Sequence, residues 1–366
     1  MASVQRQLSG RRESGPRAGR LPVVAVVGAT GLVGRTMLQV LAERALPARE
    51  IRALASARSA GSTIEVAGRR HEVAEATPSA FEDVDIALFS AGAEQSRLLA
   101  PAAVDAGCVV IDNSSAWRMD PAVPLVVAGV NDADLESHRG IVANPNCSTM
   151  QLVPLLAALR DAVGLRRVIV DTYQSVSGTG SEAVDELEAQ ILAHASGGDP
   201  IASVYPHPIA FNAIPEIDVF RPDGYTAEEW KVVAESRKIL HLPDLPVSCT
   251  AVRVAVFVSH SEAVHVETER PITPADARAL FVATPGVEVI DEPGGHRYPL
   301  ATSMAGRDDV GVGRIRADAS LPDGRGLAFW VVADNLRKGA ATNAVQLAEA
   351  ILQRRLLLGD ARSTGG

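Results

Sequence analysis

A short apolar run, Val23-Val24-Ala25-Val26-Val27, leads directly into Gly28-Ala29-Thr30-Gly31-Leu32-Val33-Gly34 and then a helical stripe of Met37, Leu38, Val40, Leu41 and Ala45. Strand, glycine-rich turn and helix in that order form the βα turn of a doubly wound parallel sheet. There, backbone amides and the helix N-terminus face an anion. The spacing is G-x-x-G-x-x-G, not the usual G-x-G-x-x-G, and the glycines alone would also suit a tight turn without a ligand. The strand before and the helix after make a nucleotide phosphate the expected occupant. The expected cofactor contacts from this turn are Gly28, Thr30, Gly31, Leu32 and Val33.

Strand and helix patterns continue to alternate, with strands expected over 51–55, 84–89, 109–112, 125–128 and 141–143 and a helix over 94–106. Such alternation indicates βαβ units around a parallel sheet. After Asn144-Pro145-Asn146 the pattern changes. A long apolar helix is expected over 147–160, bent at Pro154, followed by β runs over 165–175, 248–258, 263–268, 311–317 and 327–333. Helices over 182–195 and 226–240 stand among them, giving a mixed α+β second domain. A last helix over 340–356 is apolar at Ala344, Leu347, Ala348, Ile351 and Leu352, and is expected to return to the first domain.

The second strand of a dinucleotide fold normally ends in an acid that holds the ribose 2′-hydroxyl of NAD. This chain has Ala53-Leu54-Ala55-Ser56-Ala57-Arg58-Ser59 at that point, with no carboxylate. Ser56, Arg58 and Ser59 can donate to a 2′-phosphate, which an acid would repel, so NADP is expected in preference to NAD.

Composition narrows the class further. The 366 residues are 47% hydrophobic and carry a net charge of −9. Five Arg against Glu13 lie within residues 1–20, so the remainder carries −13, which argues against a nucleic-acid surface. No apolar run reaches the length of a membrane helix, and no membrane partner is expected. Three Cys without a C-x-x-C pair suit a reducing, cytoplasmic compartment, and the eight His show no metal-ligand spacing, so no metal is expected. The Arg-, Ser- and Gly-rich segment 1–20 reads as a disordered leader, and 358–366 as a flexible tail. Lys occurs only at 231, 238 and 338, which singles out each one.

Cys147 follows Asn144-Pro145-Asn146 and begins the long helix. At a helix N-terminus the dipole and free amides lower a thiol pKa and favour the thiolate. The same amides, with the Asn146 side chain, are placed to hold an oxyanion. Cys108 and Cys249 sit in strand-like apolar runs and read as buried hydrophobes. A thiolate beside a nicotinamide implies acyl transfer to sulfur and hydride transfer at that acyl carbon, with an aldehyde or activated acyl compound as substrate.

At this point the blocks become family-specific. Gly28–Gly34, Ser56-Ala57-Arg58-Ser59-Ala60-Gly61, Asp112-Asn113-Ser114-Ser115-Ala116-Trp117-Arg118, Asn144–Thr149, Thr172-Tyr173-Gln174-Ser175-Val176-Ser177-Gly178, Glu228-Glu229-Trp230-Lys231, the stretch from Arg253 to His260, and Asp334-Asn335-Leu336-Arg337-Lys338-Gly339-Ala340 stand in order. Over about 23–352 the chain resembles the aspartate-β-semialdehyde dehydrogenases. The resemblance implies Cys147 as nucleophile, His260 as general acid/base and Gln174 as the residue orienting the acyl group. It implies Arg253 for the substrate carboxylate, Glu228 for its ammonium group, and Arg118, Lys231 and Asn113 for phosphate. Ser177, Gly178 and Asn335 would contact the cofactor.

The resemblance also implies a fold and an assembly. A Rossmann-type NADP-binding domain would span 21–146 and a catalytic and dimerisation domain 147–338, with the helix of 339–357 returning to the first and a homodimer as the assembly. The implied reaction converts aspartyl phosphate to aspartate semialdehyde, which feeds lysine or diaminopimelate, threonine, methionine and isoleucine synthesis. N-acetyl-γ-glutamyl-phosphate reductase or a CoA-linked reductase would share the turn and the Cys, but an N-acylated substrate has no positive charge for Glu228 to meet. A catalytically dead nucleotide sensor would not keep Cys147, Gln174 and His260 together. Arg253 and His260 are seven apart, on opposite faces of any single straight strand, so a break near Ser259 is required for them to converge.

Overall fold

The computed structural model describes residues 20–321 and 323–358. Residues 1–19, most of the expected leader, and 359–366, most of the expected tail, lie outside it.

Two seven-stranded sheets carry the architecture. The first contains β1 (Val23–Val27), β2 (Glu50–Ala55), β3 (Thr63–Val66), β4 (Arg69–Glu75), β5 (Ile86–Phe89), β6 (Val109–Asp112) and β7 (Ile141–Ala143), in the order β3-β4-β2-β1-β5-β6-β7. All its pairings are parallel except the β3–β4 hairpin. The chain runs outward from β1 to β2, then returns to place β5 on the other side. This is the topological switch where doubly wound sheets open a ligand crevice.

Both faces of β1 are buried, which explains its unbroken apolar sequence. Val24 and Val26 pack with Met37, Leu38 and Leu41 of α1 (Leu32–Glu43), while Val23, Ala25 and Val27 pack with Leu99, Ala100 and Ala103 of α2 (Ala93–Asp105).

The second sheet follows α3 (Cys147–Val163), which continues through Pro154 and three residues beyond the expected end. Its strands are β8 (Leu165–Gln174), β9 (Ala213–Ile214), β10 (Val247–Val254), β11 (His260–Thr268), β12 (Val287–Val289), β13 (Val310–Ala317) and β14 (Gly326–Ala333), in the order β12-β13-β14-β11-β8-β10-β9. One face is covered by α3, α5 (Ala227–Ile239) and α6 (Pro274–Val282), through Leu152, Leu155, Val232, Val233 and Phe281. α4 (Ser181–Ala195) and the short α7 (Ala301–Met304) flank the sheet. The opposite face carries the Tyr173–Trp330 ring pair, with centroids 5.5 Å apart. A π-helical segment, Arg337–Thr342, leads into α8 (Asn343–Gln353), whose Ala344, Leu347, Ala348 and Ile351 join the core that holds Val24 and Val26.

Three sequence expectations change. The expected strand over 125–128 is only an isolated bridge, Leu125 to Ala143, followed by turns. The last helix begins at Asn343 and ends at Gln353, because the π-helical segment occupies the residues before it. The β3–β4 hairpin was not anticipated: it lies at the sheet edge, and Arg69, Arg70 and Glu72 interrupt any apolar run there.

Candidate active site

The turn after β1 meets the end of β2 directly: the amides of Gly28 and Ala29 both donate to the Leu54 carbonyl, at 2.8 and 3.0 Å. Gly28 has φ +85°, and a Cβ there would lie 2.6 Å from the Ser90 carbonyl, so only glycine fits. No side chain caps α1, and no acid stands in its first turn, which leaves its amides and positive end to an anion. Thr30 and Leu32 are half-buried and Gly31 is exposed on this turn. Ser56 and Arg58 are exposed, and Ser59 half-buried, on the turn beyond β2. These features fit a nucleotide diphosphate. The residues of both turns except Val33 stand apart from the lining of the central cleft described next.

That cleft, of about 500 Å³, opens between the two sheets. Val33, Asn113, Arg118, Asn146, Cys147, Gln174, Ser177, Gly178, Glu228, Lys231, Arg253 and Asn335 line it, all expected site residues.

Cys147 begins α3, and Asn146 caps the helix with its Oδ1 accepting from Ser148 N at 2.9 Å. The Asn146 Nδ2 donates to Glu228 Oε1 at 2.9 Å. Each amide atom therefore has one partner within the protein, and the second N–H of Nδ2 remains on a residue that lines the cleft. Gly339 lies against Cys147, since a Cβ there would be 2.9 Å from Cys147 Cβ.

The thiol does not sit low. Burial, and then the Glu228 carboxylate, push Cys147 up to about 12, against the pull of Arg118, Arg253 and Lys231. The helix terminus acts with those three cations. The lowered pKa expected from the helix N-terminus alone is thus corrected by burial beside an acid.

Glu228 and Lys231 pair at the cleft wall. Glu228 is buried and accepts from Asn146, from Gln174 Nε2 at 3.1 Å and from Lys231 Nζ at 3.0 Å. Burial alone would raise its pKa, but Lys231, Asn146 and Gln174 hold it down to about 2. Lys231 also donates to Asp218 at 2.7 Å. Burial alone would lower Lys231, but Glu228 and Asp218 raise it.

Arg253 and His260 converge because the strand does break. β10 ends at Val254, β11 starts at His260, and both pair with β8. Ser259, at the break, has φ +79°, and its amide donates to Asn335 Oδ1 at 2.9 Å. Arg253 NH1 donates to the Ser175 carbonyl at 2.8 Å, while its buried Nε has no partner. His260 is fully buried and lies behind the cleft wall. Its Nδ1 receives the Ser175 amide at 3.0 Å, and its Nε2 has no partner. Burial, and then Arg253, lower His260 to about 3. A Cβ on Gly178 would stand 3.2 Å from both Arg253 NH1 and the His260 ring.

Asn113 accepts from Arg118 NH2 at 2.6 Å through its carbonyl, and its side chain is tied to Asn144 and Phe89. Asn335 Oδ1 receives Ser175, Ser177 and Ser259, so this side chain fastens the turn of residues 175–178. Glu235, Ser175 and Asp218 were not anticipated, and Lys238 was singled out only by the rarity of lysine, without a role. For Glu235 and Lys238 the available signal was the spacing 228, 231, 235, 238, a single helix face bearing four charges. Lys238 donates to the carbonyls of Arg118, Asp120 and Val123 at 2.8, 2.8 and 2.9 Å. Lys338 is buried in the π-helical segment, and burial lowers it. Among the described residues no group of three or more His, Cys, Asp or Glu is placed to hold a metal ion, and no helix is long and apolar enough to cross a membrane.

A Rossmann-like sheet and a mixed α+β domain that share a cleft containing a cysteine at a helix start define a two-domain, pyridine-nucleotide oxidoreductase. The comparisons name its kind. Residues 23–138 match the semialdehyde dehydrogenase NAD binding domain, and 156–338 match the semialdehyde dehydrogenase dimerisation domain. An aspartate-semialdehyde dehydrogenase of Aquifex aeolicus is 51% identical over 91% of this chain and 99% of its own length. One of Legionella pneumophila is 52% identical over 92% and 96%. The crystal structure of Vibrio cholerae aspartate semialdehyde dehydrogenase II complexed with ASA superimposes with a TM-score of 0.88 at 45% identity, covering 91% of this chain and 99% of that one. The chain belongs to the aspartate-semialdehyde dehydrogenase family, oxidoreductases acting on aldehydes.

Proposed function

We propose that this chain is an NADP-dependent enzyme that converts L-aspartyl 4-phosphate to L-aspartate 4-semialdehyde through a thioester on Cys147. The observation that carries this reading is the shared cleft: Cys147 at a helix start, Arg118 and Lys231 as cations, and Arg253 with donors to spare.

Arg253, whose buried Nε lacks a partner, takes the substrate α-carboxylate. Glu228, held ionised, meets the α-ammonium group. Arg118 and Lys231, with Asn113 beside them, hold the phosphate. The α-ammonium group neutralises Glu228, the carboxylate that helps hold the Cys147 thiol up; sulfur attacks the acyl carbon, a carbon–sulfur bond forms, and phosphate leaves with the bonding electrons and takes up the thiol proton. Gln174 orients the acyl group from the end of β8. When bound, the nicotinamide supplies a hydride to the acyl carbon. His260, with Nδ1 turned to the Ser175 amide, offers Nε2–H to the acyl oxygen, the donor half of the acid/base role. Collapse of the reduced adduct breaks the carbon–sulfur bond, frees the aldehyde and regenerates the thiolate.

The uncapped α1 and the Gly28 turn support a diphosphate site, with Gly28, Thr30, Gly31, Leu32 and Val33 around it. Ser56, Arg58 and Ser59, without an acid beside them, support NADP. Ser177, Gly178 and Asn335 stand on the cleft wall where the nicotinamide end would lie. The Tyr173–Trp330 face of the second sheet, in the part of the chain that matches a dimerisation domain, supports a homodimer. We place the reaction in the cytoplasm, feeding lysine or diaminopimelate, threonine, methionine and isoleucine synthesis.

The deciding assay runs the reaction in reverse, with aspartate semialdehyde, phosphate and either NADP or NAD, alongside Cys147→Ala. Phosphate-dependent NADPH formation that disappears in the variant is expected. No turnover by folded, nucleotide-binding protein would overturn the substrate assignment.

A further inference from the structure

Four charged residues on one face of α5 hold the cleft wall. Glu228 takes Asn146 and Gln174, Lys231 takes Asp218, and Lys238 takes three carbonyls of the segment 118–123. Glu235 is the fourth, and its two oxygens serve two different elements. Oε1 accepts from Arg118 NH1 at 3.0 Å, and Oε2 accepts from the backbone amide of Asn146 at 2.6 Å. The residue is 1% exposed, so neither bond is shared with bulk water. The rest of the Arg118 fork is braced by backbone carbonyls: Nε donates to Asn144 at 3.0 Å and NH2 to Asn113 at 2.6 Å.

We propose that Glu235 is a positioning residue that couples the Arg118 anion site to the Cys147 nucleophile. One oxygen sets the direction of the guanidinium, and the other clamps the Pro145–Asn146 peptide, one residue before Cys147, so anion and sulfur stand at a fixed separation. The proposal rests on the reading of Arg118 as a phosphate ligand. Only a carboxylate can do this, because both partners are donors and each needs an acceptor. A carboxamide offers one acceptor oxygen and sets N–H groups against the other donor, leaving a buried donor unpaired. The arrangement fits a reaction in which phosphate leaves the carbon that sulfur attacks: a small error in that separation is costly to rate while leaving the fold intact.

The test reads alkylation of Cys147 by iodoacetamide and its suppression by inorganic phosphate, which requires no turnover. In Glu235→Gln the half-protecting phosphate concentration should rise about tenfold or more, beside the modest fall in unfolding temperature that one unpaired buried donor brings. In an Arg118→Lys background, which has lost the fork, the same substitution should change it less than about threefold, as coupled residues behave. Protection within about twofold of wild type in Glu235→Gln, or factors that multiply in the double variant, would overturn the coupling. So would a wild-type protein that phosphate does not protect at all. A purely structural Glu235 would lower the unfolding temperature and leave the phosphate concentration unmoved. If Glu235→Gln does not fold, Glu235→Asp, too short by one methylene to reach both partners, carries the same expectations. Wild-type protein that phosphate protects but that fails the reverse assay would sink the proposed reaction and leave this coupling standing.

Discussion

The Ser175 amide donates to His260 Nδ1 at 3.0 Å, and a backbone N–H has no other role to offer. The proton of the neutral ring therefore sits on Nε2, the nitrogen without a partner. The His260→Ala protein should fold and bind nucleotide, yet lose about two orders of magnitude or more in kcat. A kcat within a fewfold of wild type would show that the ring serves packing alone.

The same burial has a consequence for acid stability. His260 is lowered to about 3, so between its ordinary value near 6.5 and about 3 the unfolded chain binds the extra proton. Stability from this group is complete above about pH 6.5 and falls as the pH drops through that window. Urea unfolding at several pH values should therefore show a shallower loss in His260→Gln than in wild type. Parallel curves would contradict the burial argument.

Glu228 ranks second only to burial in holding the Cys147 thiol up near 12. Glu228→Gln removes that charge and leaves Lys231 with Asp218 as its acidic partner, both of which favour the thiolate. Alkylation of Cys147 at pH 8 should speed up severalfold or more, although turnover falls. A slower or unchanged labelling rate would count against this electrostatic account.

Gly339→Ala would set a methyl group 2.9 Å from Cys147 Cβ. Nucleotide affinity should stay within about twofold while kcat falls by roughly tenfold or more, because the sulfur is displaced from its reacting position. Steady-state kinetics beside nucleotide titration separates the two effects.

Arg58→Asp puts a carboxylate on the turn beyond β2. The ratio of kcat/KM for NADP to that for NAD should fall by about tenfold or more. An unchanged ratio would place the 2′-phosphate elsewhere.

Much of the fold was legible because its strands announce themselves physically. β1 is buried on both faces and so is apolar throughout, and β8 alternates because only one face is covered. The β3–β4 hairpin was not legible, since an exposed edge needs no apolar pattern. At the site, Cys147 stood out through its Asn-Pro-Asn entry, and Ser259 marked where two strands had to part. Glu235 stayed hidden because a charge on a helix reads as solvated until a partner 117 residues away is known. The bond from Asn146 to Glu228 was hidden for a related reason: it is visible only once α5 is in place.

Ala341, Ala344, Val345, Leu347, Ala348 and Ile351 complete the core that Val24 and Val26 begin. The nucleotide-binding domain is thus assembled from segments on either side of the second domain, which is threaded between them. A ribosome delivering this polypeptide N-terminus first cannot finish the first domain until the second has been made and α8 has followed it. Its β1 core must stay incompletely covered throughout synthesis, and a nascent chain stalled short of α8 exposes apolar surface that the finished protein never shows.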